Sequence, residues 1–243
     1  MKSSCKVAIV AALEREVRPL VNGWRVERHR HEAREFKFFE HGSTVVVCAG
    51  IGAEAARRAA EAAIAIYRPA LLVSAGFAGA LQCTGKVGEV IIPREVIDAG
   101  DGSRTDTGMG TGMLVSFASV AGAAQKAKLH CAYGAQAVDM EAAAVARGAA
   151  AHGIRFLACK ALSDASDASL PELQQFVGPR GEFRMARFAV HIALRPWLWA
   201  SVRGLAENSA RASRKLCAAL AEICEMKAES GEPALAAADR VKS

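Results

Sequence analysis

The 243-residue sequence predicts an α/β fold in one domain, a mixed, mostly parallel sheet flanked by helices. Two observations carry this. Short Val-, Ile- and Leu-rich runs, such as "STVVVCAG", "ALLVSAG" and "IRFLACKAL", alternate along the chain with alanine-rich stretches of helical character. The composition is also 52% hydrophobic but only 6% aromatic, which suits helices packed closely on a sheet through small side chains. The length is enough to bury a sizeable core.

In chain order, Val7–Val10 reads as a first strand and "AALEREV" as a helix broken at Pro19. The charge-dense stretch "RVERHRHEAREFK" reads as a solvated loop, in preference to a metal site built on His29 and His31. "STVVVCAG" is the next strand. "GIG" is a turn, and "AEAARRAAEAAIAIY" is a strong helix stopped at Arg68-Pro69. "ALLVSAG" is a third strand leading into a glycine-rich turn, "GFAGAL", and "VGEVIIPREVID" a fourth with Pro93 near its end. "DGSRTDTGMGT" is a loop, "GMLVSFASV" a strand, and "AVDMEAAAVARGAAAHG" a helix stopped by Gly153. "IRFLACKAL" is a strand, and helical pattern returns from Ala186 to about Glu225, interrupted by Pro196. The domain is expected over 1–225, with a disordered tail over 226–243.

Seven cysteines, odd in number and never in a C-x-x-C pair, argue against a disulfide framework or a zinc site. No apolar run reaches the roughly 18–20 residues that span a bilayer, and the N-terminus lacks signal-peptide features, so a cytoplasmic protein is expected. The net charge of +6 is concentrated late in the chain, where Arg180, Arg184, Arg187, Arg195, Arg203, Arg211, Arg214 and Lys215 face only Glu182 and Glu207. Such a stretch suits a nucleic-acid patch, a membrane-facing surface or a solvated helix face. It holds no recognisable nucleic-acid-binding module, so no nucleic-acid partner is expected.

The acids and glycines fall at strand ends. Glu14 and Glu16 follow the first strand, Gly50 and Gly52 the second, and Gly76 and Gly79 the third. Glu141 opens the helix after "GAQAV", and Asp164 closes the run "FLACKAL". In open α/β sheets, ligands bind beyond the carboxyl ends of the strands, so these residues are placed at the rim of one pocket. Each acid alone is explained as well by a helix N-terminus, which favours a carboxylate by about 0.3–1 kcal/mol, and Ser163 or Asp164 would serve as a cap. "GIG" before a helix can offer N–H groups to an anion, although it is neither a P-loop nor a dinucleotide fingerprint.

In this order, "AALEREV", "AGIG", "SAGFAGAL" with "KVGEVII", "AVDMEAAAVA" and "LSDASD" resemble the nucleoside phosphorylase and nucleosidase superfamily, nearest its 5′-methylthioadenosine/S-adenosylhomocysteine nucleosidase branch. The resemblance covers most of residues 6–167 and implies a nucleoside phosphorylase-like fold and cleavage of the N-glycosidic bond of a purine nucleoside. It implies Asp164 as the acid at the purine N7, Glu141 on the ribose hydroxyls, Met140 against the sugar and Glu16 activating water. Gly76, Phe77, Ser163 and Val120, with Phe117 beside it, are further candidates for substrate contact. Gly50, Gly52 and Lys160 are candidates for the phosphate or water side. The acid must hold a proton near neutral pH, through burial or a neighbouring carboxylate. No metal or cofactor is called for, and a homo-oligomer is expected by analogy.

Three departures from the family pattern stand out. Phe77 replaces a small hydroxyl residue, Lys160 replaces arginine, and the stretch from Pro93 to Ala137 is short. Hydrolysis leads over phosphorolysis because the N-terminal phosphate-binding element of the cationic phosphorylases is missing. The segment bearing Arg195, Trp197, Leu198, Trp199 and Arg203 looks more like the C-terminal part of hopanoid-associated phosphorylases. That keeps an adenosylated lipid and a peripheral membrane contact as alternatives, beside a solvated terminal helix. A non-catalytic nucleoside-binding protein is the reading from another class.

Overall fold

The computed structural model describes residues 5–166 and 199–229, the last as part of a helix whose side chains are described over 207–226. At its centre lies β5 (Leu71–Ala80), a ten-residue strand with two working edges. Along one edge runs β11 (Arg155–Asp164), parallel to it from Arg155↔Leu71 to Asp164↔Gly79, with a bulge between Leu162 and Asp164. The other edge is shared. β1 (Val7–Ala11) pairs in parallel with Leu71–Ala75, and β10 (Ala137–Asp139) pairs antiparallel with Gly79 and Ala80. Between these two partners, beside Gly76–Ala78, the edge opens, and the ends of β1 and β10 converge on the gap.

The rest of the sheet extends from these strands. β4 (Thr44–Cys48) lies parallel to β1, and the antiparallel hairpin of β2 (Arg25–His31) and β3 (Arg34–His41) completes that side. Beyond β10 lie β9 (Met113–Ser116), β7 (Glu95–Asp98) and β8 (Arg104–Asp106), and β6 (Val90–Ile91) pairs with β11. β1 shows why the central strands read as unbroken apolar runs. Ala8 and Val10 enter one core while Val7, Ile9 and Ala11 enter another, so both faces are covered.

On one face, α2 (Ala53–Tyr67) and α4 (Ala142–Ala151) pack through alanines, including Ala56, Ala59, Ala60 and Ala63 against Ala142 to Ala146, all buried. A Cβ at Gly148 would lie 3.6 Å from that of Ala60, a contact that bulkier side chains would hold apart. On the other face lie α1 (Glu14–Val21) and α5 (Trp199–Glu229), whose Ala212, Leu216, Leu220 and Ile223 are buried against Val17 and the sheet. A smaller core gathers Ile97, Val115 and Val138 around Leu129 of α3 (Ala123–Tyr133).

Several expectations are corrected. Pro19 does not break the first helix, which runs on to Val21. Pro19 has no N–H for the Arg15 carbonyl, and the Ser213 hydroxyl of α5 reaches it at 3.2 Å and the Glu16 carbonyl at 3.0 Å. The charge-dense stretch is the β2–β3 hairpin, not a loop, and His29 packs edge-on to Phe38 and Tyr67. "GFAGAL" is not a turn, because β5 continues to Ala80. "VGEVIIPREVID" splits at Pro93 into β6 and β7, which take different partners. The "DGSRTDTGMGT" loop contains β8. Ala137–Asp139 is strand, and the helix begins only after Glu141. α3 was not anticipated. α5 continues to Glu229, a turn past the helix end expected near Glu225. Arg180, Arg184, Arg187, Arg195, Pro196, Trp197, Leu198 and Asp167 lie outside the described residues, as does 230–243.

Candidate active site

The gap beside Gly76–Ala78 opens into a cavity of about 920 Å³. Glu16 reaches it from α1, Met140 and Glu141 from the end of β10, Ser163 and Asp164 from the end of β11, and Phe77 from β5. Val120, a candidate for substrate contact, also lines it. Three carboxylates that are far apart in sequence therefore share one cavity, and all three are buried or nearly so.

Glu16 is the third residue of α1, and its Oε2 accepts the Leu13 N–H at 3.2 Å, the reach-back of a capping box. Burial, then the neighbouring Glu141 charge, push its pKa up to about 7. Against that push stand the Leu13 N–H and the charges of Lys160 and Arg15. Glu141 is held at both oxygens. Oε1 accepts the Gly52 N–H at 2.8 Å and Oε2 the Met140 N–H at 3.2 Å. Its pKa is also raised, by burial and then by Asp139, with Lys160 and the two amides opposing.

Asp139 was not among the expected site residues. It is buried, accepts the Ser116 hydroxyl at 2.6 Å and the Ala142 N–H at 2.9 Å, and lies 2.8 Å from the Lys160 ammonium. Lys160 is fully buried. Burial works against its charge, but Asp139, Glu141 and Glu16 outweigh it and raise the Lys160 pKa. The replacement of arginine by lysine thus keeps a cation at the centre of three carboxylates.

At the other end of the cavity, Asp164 accepts the Ser163 hydroxyl at 2.6 Å and meets the ammonium of Lys126 from α3. Lys126 also donates to the Ala165 carbonyl at 2.6 Å. Sequence led to an expectation of burial or a neighbouring carboxylate at Asp164. Burial is present, but the neighbour is a cation. Lys126 is only 1% exposed and was not identified from sequence, since a lysine in a weakly patterned eleven-residue helix carries no signal of its own.

Gly76 and Gly79 leave room for the two ends. A Cβ at Gly76 would sit 3.0 Å from Glu16 Oε2, and Gly76 has φ +147, a conformation L side chains rarely adopt. A Cβ at Gly79 would sit 3.1 Å from both Asp164 Oδ2 and Lys126 Cε. Three residues of strand set these positions about 10 Å apart. Gly50 and Gly52, expected on the phosphate or water side, have their N–H groups engaged by the Ala12 carbonyl and by Glu141. Lys160, expected beside them, faces Asp139.

A family model described as the phosphorylase superfamily matches residues 6–127 and 109–193. The chain belongs to the phosphorylase superfamily. Among curated proteins it is 25% identical, over 93 residues, to the 5′-methylthioadenosine/S-adenosylhomocysteine nucleosidase of Buchnera aphidicola subsp. Schizaphis graminum, a match covering 37% of this chain and 40% of that relative. Among solved structures, the apo 5′-methylthioadenosine nucleosidase of Arabidopsis thaliana superposes with a TM-score of 0.69 at 18% identity, over 96% of this chain and 98% of that one. The 5′-methylthioadenosine/S-adenosylhomocysteine nucleosidase of Neisseria meningitidis, in complex with methylthio-immucillin-A, gives 0.67 at 20%, over 91% and 99%. At such identities the structures establish a shared fold. As a member of the phosphorylase superfamily, the chain has the mixed sheet and flanking helices expected from its sequence.

Proposed function

We propose that this protein hydrolyses the N-glycosidic bond of a 5′-substituted adenosine. The observation that carries the reading is the convergence of Glu16, Glu141 and Asp164 on one cavity in a chain of the phosphorylase superfamily. Asp164 lies at the end that meets the purine, where a proton delivered to N7 lets the base leave neutral. Glu141, with both oxygens oriented by amides, accepts the ribose hydroxyls, and Met140 packs against the sugar. The ribosyl group gains positive charge as the bond breaks, and the neighbouring carboxylates oppose that charge. Glu16, with its pKa near 7, takes a proton from the water that attacks C1′.

Two features support hydrolysis over phosphorolysis. The Gly50 and Gly52 amides are engaged within the protein, and the Lys160 ammonium is committed to Asp139. The cavity volume stands near the top of the range of about 300–1,000 Å³ usual for small-molecule sites. Its wall continues past Glu16 to Arg18, Pro19 and Asn22 of α1 and to Ser209 and Ala210 of α5, which leaves space for a 5′ substituent.

The test is release of free adenine from methylthioadenosine and adenosylhomocysteine, each with and without phosphate. Release that does not need phosphate is expected. Release only with phosphate would replace hydrolysis by phosphorolysis, and no release under either condition would overturn this substrate assignment.

A further inference from the structure

Lys126 is a buried cation of this cavity to which the hydrolytic reading gives no task. A lysine with 1% exposure is costly to bury unless its charge is matched, and here two groups match it, the Asp164 carboxylate and the Ala165 carbonyl. It sits on α3, a helix whose only other buried side chain is Leu129. It lines the cavity, and a Cβ at Gly79 would press on its Cε at 3.1 Å and its Nζ at 3.3 Å. Strand and helix are therefore both shaped around a lysine beside the group that faces the leaving base.

We infer that Lys126 supplies, through Asp164, the proton that the departing base takes up. An ammonium in contact with a carboxylate can hand it one proton, and the pair holds one transferable proton between them. When the C1′–N9 bond breaks, its electron pair goes to the purine. The Asp164 carboxylate takes a proton from Lys126 and passes it to N7, so that Lys126 is left as a neutral amine facing an ionised carboxylate. The water that adds to C1′ gives its proton to Glu16, and solvent returns one proton to Lys126 after the products leave. In this scheme Lys126 acts through Asp164 and is a positioning and proton-supplying residue. The inference rests on the hydrolytic reading above.

The experiment compares two leaving groups in the full-length protein. Adenine needs a proton to leave, whereas the 4-nitrophenyl glycoside of the same 5-substituted ribose releases a nitrophenolate anion that needs none. Lys126→Met is expected to slow adenine release by about 10²–10⁴-fold and nitrophenolate release by less than about 3-fold, the range of a lost general acid. Lys126→Arg keeps the charge beside Asp164, but its guanidinium does not give up a proton, so it is expected to be more stable than the methionine variant without restoring adenine release. Equal losses on both substrates in the methionine variant would assign Lys126 a structural role and overturn the inference. So would wild-type adenine release in either variant. If the wild-type protein releases neither leaving group, it is the hydrolytic reading that fails. That outcome is read before any variant is made.

Discussion

Replacing Lys160 with methionine tests the charge balance around Glu16 and Glu141. The side chain is fully buried, 2.8 Å from Asp139, and its charge lowers the pKa of both Glu16 and Glu141. Removing one partner of a buried ion pair costs about 3–5 kcal/mol, because the other is left without compensation. That cost has a definite dependence on pH. Glu16 has its pKa raised from 4.5 to about 7, so the stability linked to its proton is fully present below pH 4.5 and is lost as pH rises through 7. Glu141 is shifted in the same direction. Without Lys160 both carboxylates shift further upward, and each additional pKa unit removes about 1.4 kcal/mol at pH values above the new pKa. The stability difference between wild type and Lys160→Met, measured by urea denaturation, should therefore be larger at pH 8.5 than at pH 6. A difference that is the same at both pH values, or below about 1 kcal/mol at pH 8.5, would refute this account of the cluster.

Base release should rise with pH through about 7, because Glu16 must be ionised to accept a proton from water. A kcat/KM profile from pH 5.5 to 8.5 checks this, and Glu16→Gln should lie at least about 10²-fold lower throughout. Asp164→Asn should reduce adenine release by a similar factor while the protein stays folded. It should also cost stability, since Lys126 is left buried without a counter-charge, and full activity in this variant would remove Asp164 from the mechanism. Gly76→Ala should lower stability by about 1–3 kcal/mol, through a side chain at φ +147 that also presses on Glu16 Oε2. The denaturation midpoint measures the first effect and the rate of adenine release the second.

The central strands were legible because a sheet covered on both faces demands unbroken Val, Ile and Leu runs, and β1, β4 and the first half of β5 supply them. Charged and aromatic residues hid the β2–β3 hairpin. Its two turn residues, Glu32 and Ala33, have φ of +45 and +62, where the usual hairpin signal would be asparagine or glycine. The second half of β5 read as a turn because its glycines suggested conformational freedom. Gly76 does use a positive φ, but Gly79 is required for clearance, and clearance depends on partners that arrive from other elements. Glu16, Glu141 and Asp164 could be picked out because each closes or follows an apolar run. Asp139 and Lys126 could not. One ends a three-residue strand that reads as the start of a helix, the other lies on a helix with little periodicity, and each acquires its partner only when α3, β10 and β11 are folded together.

The two ends of the cavity use the same ingredients to opposite effect. At one end Lys160 is placed against Asp139, so it shares its charge with Glu16 and Glu141 without neutralising either, and Glu16 is left with a pKa at which a carboxylate can exchange a proton with water. At the other end Lys126 meets Asp164 directly, with the Ser163 hydroxyl fixing the second oxygen. In the proposed hydrolysis, a base that accepts a proton and an acid that gives one need different environments, and two carboxylates buried in one cavity would otherwise resemble each other too closely. The glycines at 76 and 79, about 10 Å apart along β5, hold the two environments on one strand. The position of each lysine, more than the depth of burial, is what distinguishes them.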